Sequence, residues 1–180
     1  MPEPETLGRD FFARPTIEVA RDLLGKVLVH RGTAGIIVET EAYPGGDDLA
    51  SHSARGITDR TRVIFGPPGH AYVYLIYGMH HCFNVVCGKG SAVLIRAVEP
   101  LSGVEGRTDG PGRLTRALGL AADHYGLSLQ GPTLLLEEGP PVPSRQVRRG
   151  PRIGVAYAGA WATKPFRLWE AGNPHVSRPR

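Results

Sequence analysis

The stretch from residue 38 to residue 56, VETEAYPGGDDLASHSARG, places acidic side chains beside aromatic ones. Glu39 and Glu41 are separated by one residue, Tyr43 follows them, and His52 comes soon after. A carboxylate can take a proton from water in a hydrolytic reaction. Flat, electron-rich rings attract a planar or positively charged group. The stretch therefore predicts a site that holds a planar substrate next to an acid.

Strand alternation predicts which way these side chains point, because alternate residues of a strand share a face. One face carries both glutamates and Tyr43, together with Ile37. The opposite face, with Ile36, Val38 and Ala42, is the expected core side. No basic residue lies close in sequence to pair with the acids, which favours a site over a structural role. Surface glutamates without a role remain open, and alternation does not distinguish Glu39 from Glu41.

A second aromatic cluster lies in residues 71 to 87, AYVYLIYGMHHCFNVVC, which predict two strands around a tight connection. Tyr72 and Tyr74 share a face, whereas Tyr77 has the opposite parity and precedes Gly78. We expect Tyr77 at the bend of a hairpin, where it projects outward. Tyrosines also pack ordinary sheets, and the spacing alone leaves that alternative open.

The remaining residues predict short strands and two helices. Apolar spacing predicts a helix over residues 15 to 24 with Thr16 as its cap, and a second helix that begins near Arg113. Residues 137 to 152 are rich in proline and arginine and predict a loop. The predicted strands are 26–30, 35–43, two within 71–87, 91–100, 152–159 and 166–172. Strands that follow one another without helical crossovers favour antiparallel pairing. The expected fold is α+β, a single domain over residues 1–180 with a curved, largely antiparallel sheet, flanking helices and a protruding β-hairpin.

Composition limits the partners and the location. The chain of 180 residues carries a net charge of +4, and nearly all of its cations are arginine, whose planar fork suits phosphate. This favours a polyanionic partner. There is no apolar run of about 18 residues for a membrane span, and the acidic N-terminus does not resemble a secretory signal, so we expect an intracellular location, the nucleoid in a bacterium. Two cysteines and the compressed His80-His81-Cys82 sequence predict neither a disulfide nor a metal site.

Three motifs, in this order and spacing, resemble those of a known family. They are IVETEAYPGGDDLASHSARG, PPGHAYVYLIYGMHHCFNVV and VLIRAVEPLSG. The segments LGRDFFARPTIEVARDLLGKVLV, DGPGRLTRALGL and RIGVAYAGAWATKPFRLW extend the match over nearly the whole chain, with residues 121 to 150 the least distinctive. The chain resembles the alkyladenine (3-methyladenine) DNA glycosylase family. The resemblance implies hydrolysis of the N-glycosidic bond of alkylated or deaminated purines in double-stranded DNA.

The resemblance also implies roles for individual residues. Glu41 matches the general base of the family, and Arg96 matches a residue that orients the attacking water. Tyr77 matches the side chain that intercalates into the duplex where the base was. A main-chain carbonyl near Val155 is a further candidate for holding the water. The residues that match the pocket for the extruded base are Tyr43, His52, Tyr74 and Asn84.

The basic residues suggest how DNA is held and which chemistry is absent. None of Lys26, Lys89 and Lys164 adjoins the acid–aromatic cluster, so no amine is expected to form a Schiff base. We therefore expect a monofunctional enzyme that leaves an abasic site and needs no cofactor. A single lesion has no two-fold symmetry, which favours a monomer. The candidate contacts to the DNA backbone are Arg55, Arg60, Arg62, Arg145, Arg148, Arg149 and Arg152.

Two other functions use the same residues. A non-catalytic protein that binds damaged nucleic acid would use the rings and the arginines but has no need of Glu41. A metal-dependent nuclease would use Glu39, Glu41, Asp47 and Asp48 as oxygen ligands. The residues alone leave both open, whereas the family resemblance favours the glycosylase.

Overall fold

The computed structural model describes residues 3–178 and is built on one antiparallel sheet of eight strands. The strands are β1 (Val27–His30), β2 (Thr33–Tyr43), β3 (Ala71–Ile76), β4 (His80–Gly88), β5 (Ser91–Ser102), β6 (Leu134–Glu137), β7 (Val147–Gly150) and β8 (Arg167–Glu170). Six of them follow the order β3-β4-β5-β2-β1-β6, β8 pairs with β2, and β7 pairs with β8. The sheet is curled, and three helices accompany it. The predicted α+β class is confirmed.

Strand β2 is the centre of the sheet and has a divided edge. One edge pairs with β5 along nearly its whole length. The other edge pairs with β1 up to Ile36 and with β8 from Glu39 to Glu41. The strand segment that carries both glutamates is therefore hydrogen-bonded on both sides.

The pairing of β2 with β5 shifts register on either side of Glu39, which marks a β-bulge. Strict alternation across this bulge was wrong. Ile37 lies in the main core with Ala42, although its parity groups it with Glu39. Val38 packs instead in a small separate cluster with Val176.

The helices pack the main core against the sheet. Their bounds are α1 (Arg9–Phe12), α2 (Thr16–Asp22) and α3 (Pro111–Leu118). The Thr40 hydroxyl on β2 donates to the Ala20 carbonyl of α2 at 2.8 Å. Thr16 does not cap α2, because Pro15 occupies the cap position and Thr16 is already helical. Helix α3 ends where Gly119 adopts φ 71°, a common helix terminator. No helix in the described part of the chain is long and apolar enough to cross a membrane.

Two predicted elements in the last quarter of the chain were wrong. Residues 137–152 are not a continuous loop, since they contain a 3₁₀ turn at Ser144–Gln146 followed by β7. Residues 152–159 do not form a strand; a 3₁₀ segment spans Ala156–Thr163 and is broken at Gly159, where φ is 60°. The final predicted strand is confirmed as β8.

Three residues, 77 to 79, connect β3 to β4, because Ile76 pairs with His80. The amide of Met79 donates to the carbonyl of Ile76 at 3.1 Å. The two central residues, Tyr77 and Gly78, have φ of 53° and 63°, as in a type I′ turn, whose twist matches that of the strands. Tyr77 is 86% exposed at this tip, so the predicted bend and its outward side chain are confirmed.

Candidate active site

A cleft of about 950 Å³ opens on one face of the sheet. Paired positions on four neighbouring strands contribute to its floor: Tyr72 opposes Asn84, Asn84 opposes Leu94, and Leu94 opposes Glu41. Because paired residues of adjacent strands point to the same side, strand register alone assembles this row. The cleft is also where the sequence-predicted residues meet, since its lining includes Glu41, Tyr43, His52, Tyr74, Tyr77, Asn84 and Arg96.

Glu41 lies on the floor of the cleft with its side chain fully buried. One carboxylate oxygen accepts hydrogen bonds from the Tyr43 hydroxyl at 3.2 Å and from Nη1 of Arg96 at 3.2 Å. The other oxygen accepts the backbone N–H of Ile153 at 2.6 Å. A carboxylate offers about four lone-pair directions, so one remains available to a group in the cleft.

Glu39 has the same parity as Glu41 but a different environment. It accepts the hydroxyl and the backbone N–H of Ser177 at 2.9 and 2.8 Å. It also accepts Nε of Arg96 at 3.1 Å and Nη1 of Arg167 at 3.3 Å. These four donors match the capacity of a carboxylate, and Glu39 does not line the cleft. The structure therefore separates the two acids, which strand alternation left equivalent.

Arg96 joins both acids through one guanidinium. Its Nε contacts Glu39, its Nη1 contacts Glu41, and its Nη2 donates to the Ser177 hydroxyl at 3.3 Å. Burial works against its charge, but the two carboxylates raise the pKa of Arg96. Burial raises the pKa of Glu41 as well, and Glu39 adds to this, while Arg96 and the Ile153 and Tyr43 hydrogen bonds oppose it. The pKa of Glu41 thus lies above that of an ordinary glutamate.

The aromatic wall of the cleft is a cluster of three rings. The His52 and Tyr74 ring centroids are 4.5 Å apart, and those of Tyr72 and Tyr74 are 5.3 Å apart. Nδ1 of His52 lies 2.8 Å from the Tyr72 hydroxyl. Burial, followed by the charges of Arg60 and Arg55, lowers the pKa of His52 to about 4, so its ring is neutral at physiological pH. Tyr72, which the family resemblance did not single out, is the residue that holds His52.

Tyr43 lies outside this cluster and packs against a buried charge pair. The guanidinium carbon of Arg152 lies 4.8 Å from the centre of its ring. Arg152 pairs with Asp48 through two hydrogen bonds of 2.6 and 2.9 Å, and both side chains are fully buried. Arg152 is therefore not available for a phosphate, and that prediction was wrong. Its backbone neighbour Ile153 is the residue whose N–H binds Glu41.

Two groups of exposed arginines bear on how DNA could be bound. The predicted contacts to the DNA backbone that are exposed but do not line the cleft are Arg55, Arg60, Arg62, Arg145, Arg148 and Arg149. Four others do line it and were missed: Arg107, Arg113, Arg116 and Arg178. For Arg107 and Arg113 the available signal was the glycine-rich sequence EGRTDGPGR, which runs into the first turn of α3, because glycines let the backbone approach a ligand closely.

The described residues also bear on the alternative chemistries. Within residues 3–178, no lysine lines the cleft. Over the same range, no group of three His, Cys, Asp or Glu side chains is arranged to hold a metal ion. Two of the proposed oxygen ligands of a nuclease are already engaged, since Asp48 binds Arg152 and Glu39 has four donors.

A buried acid at the floor of a ring-walled cleft, beside an exposed aromatic side chain on a hairpin, is the arrangement expected of an enzyme that acts on a planar base. Comparison of the sequence with known protein families supports the same conclusion. The model of the methylpurine-DNA glycosylase family matches residues 10–174. The chain therefore belongs to the methylpurine-DNA glycosylase family, as the sequence resemblance predicted, and is a hydrolase that cleaves N-glycosidic bonds in DNA.

Relatives match along almost the whole chain. A Myxococcus xanthus protein is 58% identical over 181 residues, which cover 96% of this chain and 93% of the relative. An Anaeromyxobacter dehalogenans protein is 54% identical, with 96% and 86% covered. A Legionella pneumophila protein is 48% identical, with 96% and 98% covered. Each of these relatives is provisionally named a 3-methyladenine DNA glycosylase.

Proposed function

We propose that residues 1–180 form a single monofunctional glycosylase domain that takes a damaged purine out of the duplex and hydrolyses its N-glycosidic bond, leaving an abasic site. The proposed substrates are 3-methyladenine, 7-methylguanine, hypoxanthine and etheno-adducts. One observation carries the proposal: Glu41 lines the cleft and is held there by three donors, which leave one of its about four lone-pair directions unused.

Glu41 is the proposed general base. Cleavage of a glycosidic bond builds positive charge on the sugar, which a carboxylate beneath the sugar stabilises. The same carboxylate takes a proton from the attacking water, a contribution of about 10²–10⁴-fold. Arg96 keeps Glu41 in place and offsets part of the burial that raises its pKa. A raised pKa suits a base, because proton transfer is most efficient when the pKa lies near the working pH.

The rings supply the free energy that extrusion of the base requires. Taking a base out of the stack costs roughly a few kcal/mol, and stacking on an aromatic ring returns about 1–3 kcal/mol per base. Tyr43, His52 and Tyr74 are the proposed stacking partners. Asn84 lies on the floor, where it is suited to discriminate between purine edges. Tyr77, exposed at the hairpin tip, is proposed to fill the gap that the base leaves in the duplex.

The basic side chains indicate how the DNA is bound and why its strand is not cleaved. We propose that the arginines along the cleft and the exposed ones beside it neutralise phosphates, and that the enzyme acts as a monomer. A Schiff-base mechanism needs an amine at the site, and within residues 3–178 no lysine lines the cleft. Because the proposed substrate is genomic DNA, we expect the protein to act where that DNA lies, which in a bacterium is the cytoplasmic nucleoid.

The test is release of free base from duplexes that contain one 3-methyladenine or hypoxanthine, with excess chelator present. Glu41→Gln preserves the size of the side chain but removes the base, so we expect release to fall about 10²–10⁴-fold. The matched control is Glu138→Gln. Glu138 pairs with Lys26 and lies outside the cleft, so release is expected to remain as in the unmodified protein. Undiminished release by Glu41→Gln would exclude Glu41 as the base.

Two further results bear on the mechanism. If the native protein binds lesion duplexes but releases no base, the non-catalytic binding function replaces the proposal. Borohydride should trap no covalent protein–DNA adduct with the native protein, and a trapped adduct would refute the monofunctional mechanism.

A further inference from the structure

Arg60 approaches the aromatic wall of the cleft from outside. Its guanidinium carbon lies 5.1 Å from the centre of the Tyr74 ring. Its Nη2 donates to the carbonyl of Leu75 at 3.3 Å, which keeps the charge near that ring. Tyr74 lines the cleft, whereas Arg60 is not among the described residues that do. The charge of Arg60 therefore acts on the cleft through and around the Tyr74 ring.

The second proposed stacking ring has a guanidinium too. Arg152 lies 4.8 Å from the centre of the Tyr43 ring. His52, the third ring, is neutral at physiological pH, because burial and the neighbouring arginines lower its pKa. The three proposed stacking rings thus combine an uncharged imidazole with two tyrosine rings that each already contact a guanidinium.

A ring that already engages one cation is a weaker partner for another. A cation–π contact depends on the negative electrostatic potential of the ring face. A guanidinium next to the ring reduces that potential and also repels a second positive charge. Purines alkylated at N3 or N7 are cationic, whereas hypoxanthine is neutral. The penalty therefore falls on the charged lesions and spares the neutral ones.

We propose that Arg60 is a specificity-determining residue that lowers the preference of the pocket for positively charged purines relative to neutral ones. The proposal rests on the proposed function and adds how the same pocket divides its substrates. Of the two arginines, Arg60 is suited to a substitution experiment, because its side chain is exposed and can be replaced without disturbing the interior. Arg152 is fixed in the interior by Asp48, so its replacement would disturb the fold.

The experiment measures single-turnover release from two duplexes of the same sequence, one with 7-methylguanine and one with hypoxanthine. The readout is the ratio of the two rate constants, which cancels any contribution of Arg60 to phosphate binding. Removing a cation–π partner at an exposed site corresponds to about a twofold to fivefold change. We therefore expect Arg60→Gln and Arg60→Met to raise the ratio of charged to neutral release by that factor.

Two controls separate charge from position. Arg60→Lys keeps the charge and should hold the ratio near its original value. Arg62→Gln removes a charge two positions away, where Arg62 pairs with Asp59 in solvent, and should leave the ratio unchanged. Thermal melts of each variant check that the fold is intact, and the two neutral variants substitute for each other if one of them is unstable.

The outcomes are distinguishable. Equal losses for both duplexes, with an unchanged ratio, would mean that Arg60 binds only the DNA backbone and would overturn the proposal. A ratio that falls in the neutral variants would overturn it as well. Release of neither base by the unmodified protein would refute the proposed function itself.

Discussion

Replacement of Asp48 by alanine should destabilise the protein strongly. The Asp48–Arg152 pair is completely buried, and Nε of Arg152 already has no hydrogen-bond partner. Removing one member of a buried pair leaves the other charge uncompensated, at a cost of about 3–5 kcal/mol. In a chain of this size, 1 kcal/mol lowers Tm by about 2–4 °C. The expected fall in Tm is therefore roughly 6–20 °C.

The cost should come from the stranded charge and not from the lost side-chain volume. Asp48→Ala combined with Arg152→Met removes both charges and keeps apolar volume where the arginine packs between the Tyr43 and Phe166 rings. Because replacing both members of a buried pair by apolar groups is often neutral, the double variant should be more stable than Asp48→Ala alone. Urea unfolding at neutral pH gives the free energy of unfolding for each variant.

Asp47→Ala is the matched control, since Asp47 is the exposed neighbour of Asp48. Its free energy of unfolding should stay within about 0.5 kcal/mol of the original, as for most surface substitutions. An Asp48→Ala variant that unfolds with the same free energy as this control would rule out an unpaired charge as the source of instability. A double variant that is the least stable of the three would rule it out as well.

Three further results are expected. Glu41 must be ionised to act as a base, and burial raises its pKa. The kcat on 7-methylguanine should therefore fall as pH decreases through that raised pKa, at a pH above the value of about 4.3 where an ordinary glutamate titrates; a flat profile down to that pH would contradict this. Tyr77→Ala should weaken binding to a lesion duplex by about tenfold, given about 1–3 kcal/mol per stacked ring, whereas Tyr77→Phe should bind normally in fluorescence anisotropy. Arg116→Gln should reduce the slope of log binding constant against log salt concentration, for lesion-free DNA, by about 0.9. Arg9→Gln, outside the cleft, should leave this slope unchanged. Equal slopes for the two variants would exclude Arg116 as a phosphate contact.

Local patterns were enough to predict the hairpin and much of the sheet. A tyrosine and a glycine between two β-branched, aromatic runs specify a tight turn. That turn fixes both the register of β3 with β4 and the exposure of Tyr77. Helix α3 was predictable for a similar reason, since Pro111 and Gly119 mark its start and its end.

The chemistry of the two acids was not predictable from local patterns. Glu39 and Glu41 have the same parity, and what distinguishes them is the set of distant donors around each one. Ile153 is 112 residues from Glu41, and Ser177 is 138 residues from Glu39. Two further features also depend on tertiary contacts and cannot be predicted from neighbouring residues. They are the bulge in β2 and the pairing of Arg152 with Asp48.

The long sequence separation of the donors to Glu39 has a consequence for protein synthesis. As the chain leaves the ribosome, both acids of β2 emerge long before Ser177, which supplies two of the four hydrogen bonds to Glu39. Until Ser177 has left the ribosome, the Glu39 carboxylate lacks two of its hydrogen-bond donors and should stay hydrated. Arg96 likewise lacks its acceptor on Ser177. We therefore expect the network that joins Arg96 to both acids to be completed only after Ser177 has been synthesised, which would delay base excision until the chain is nearly finished.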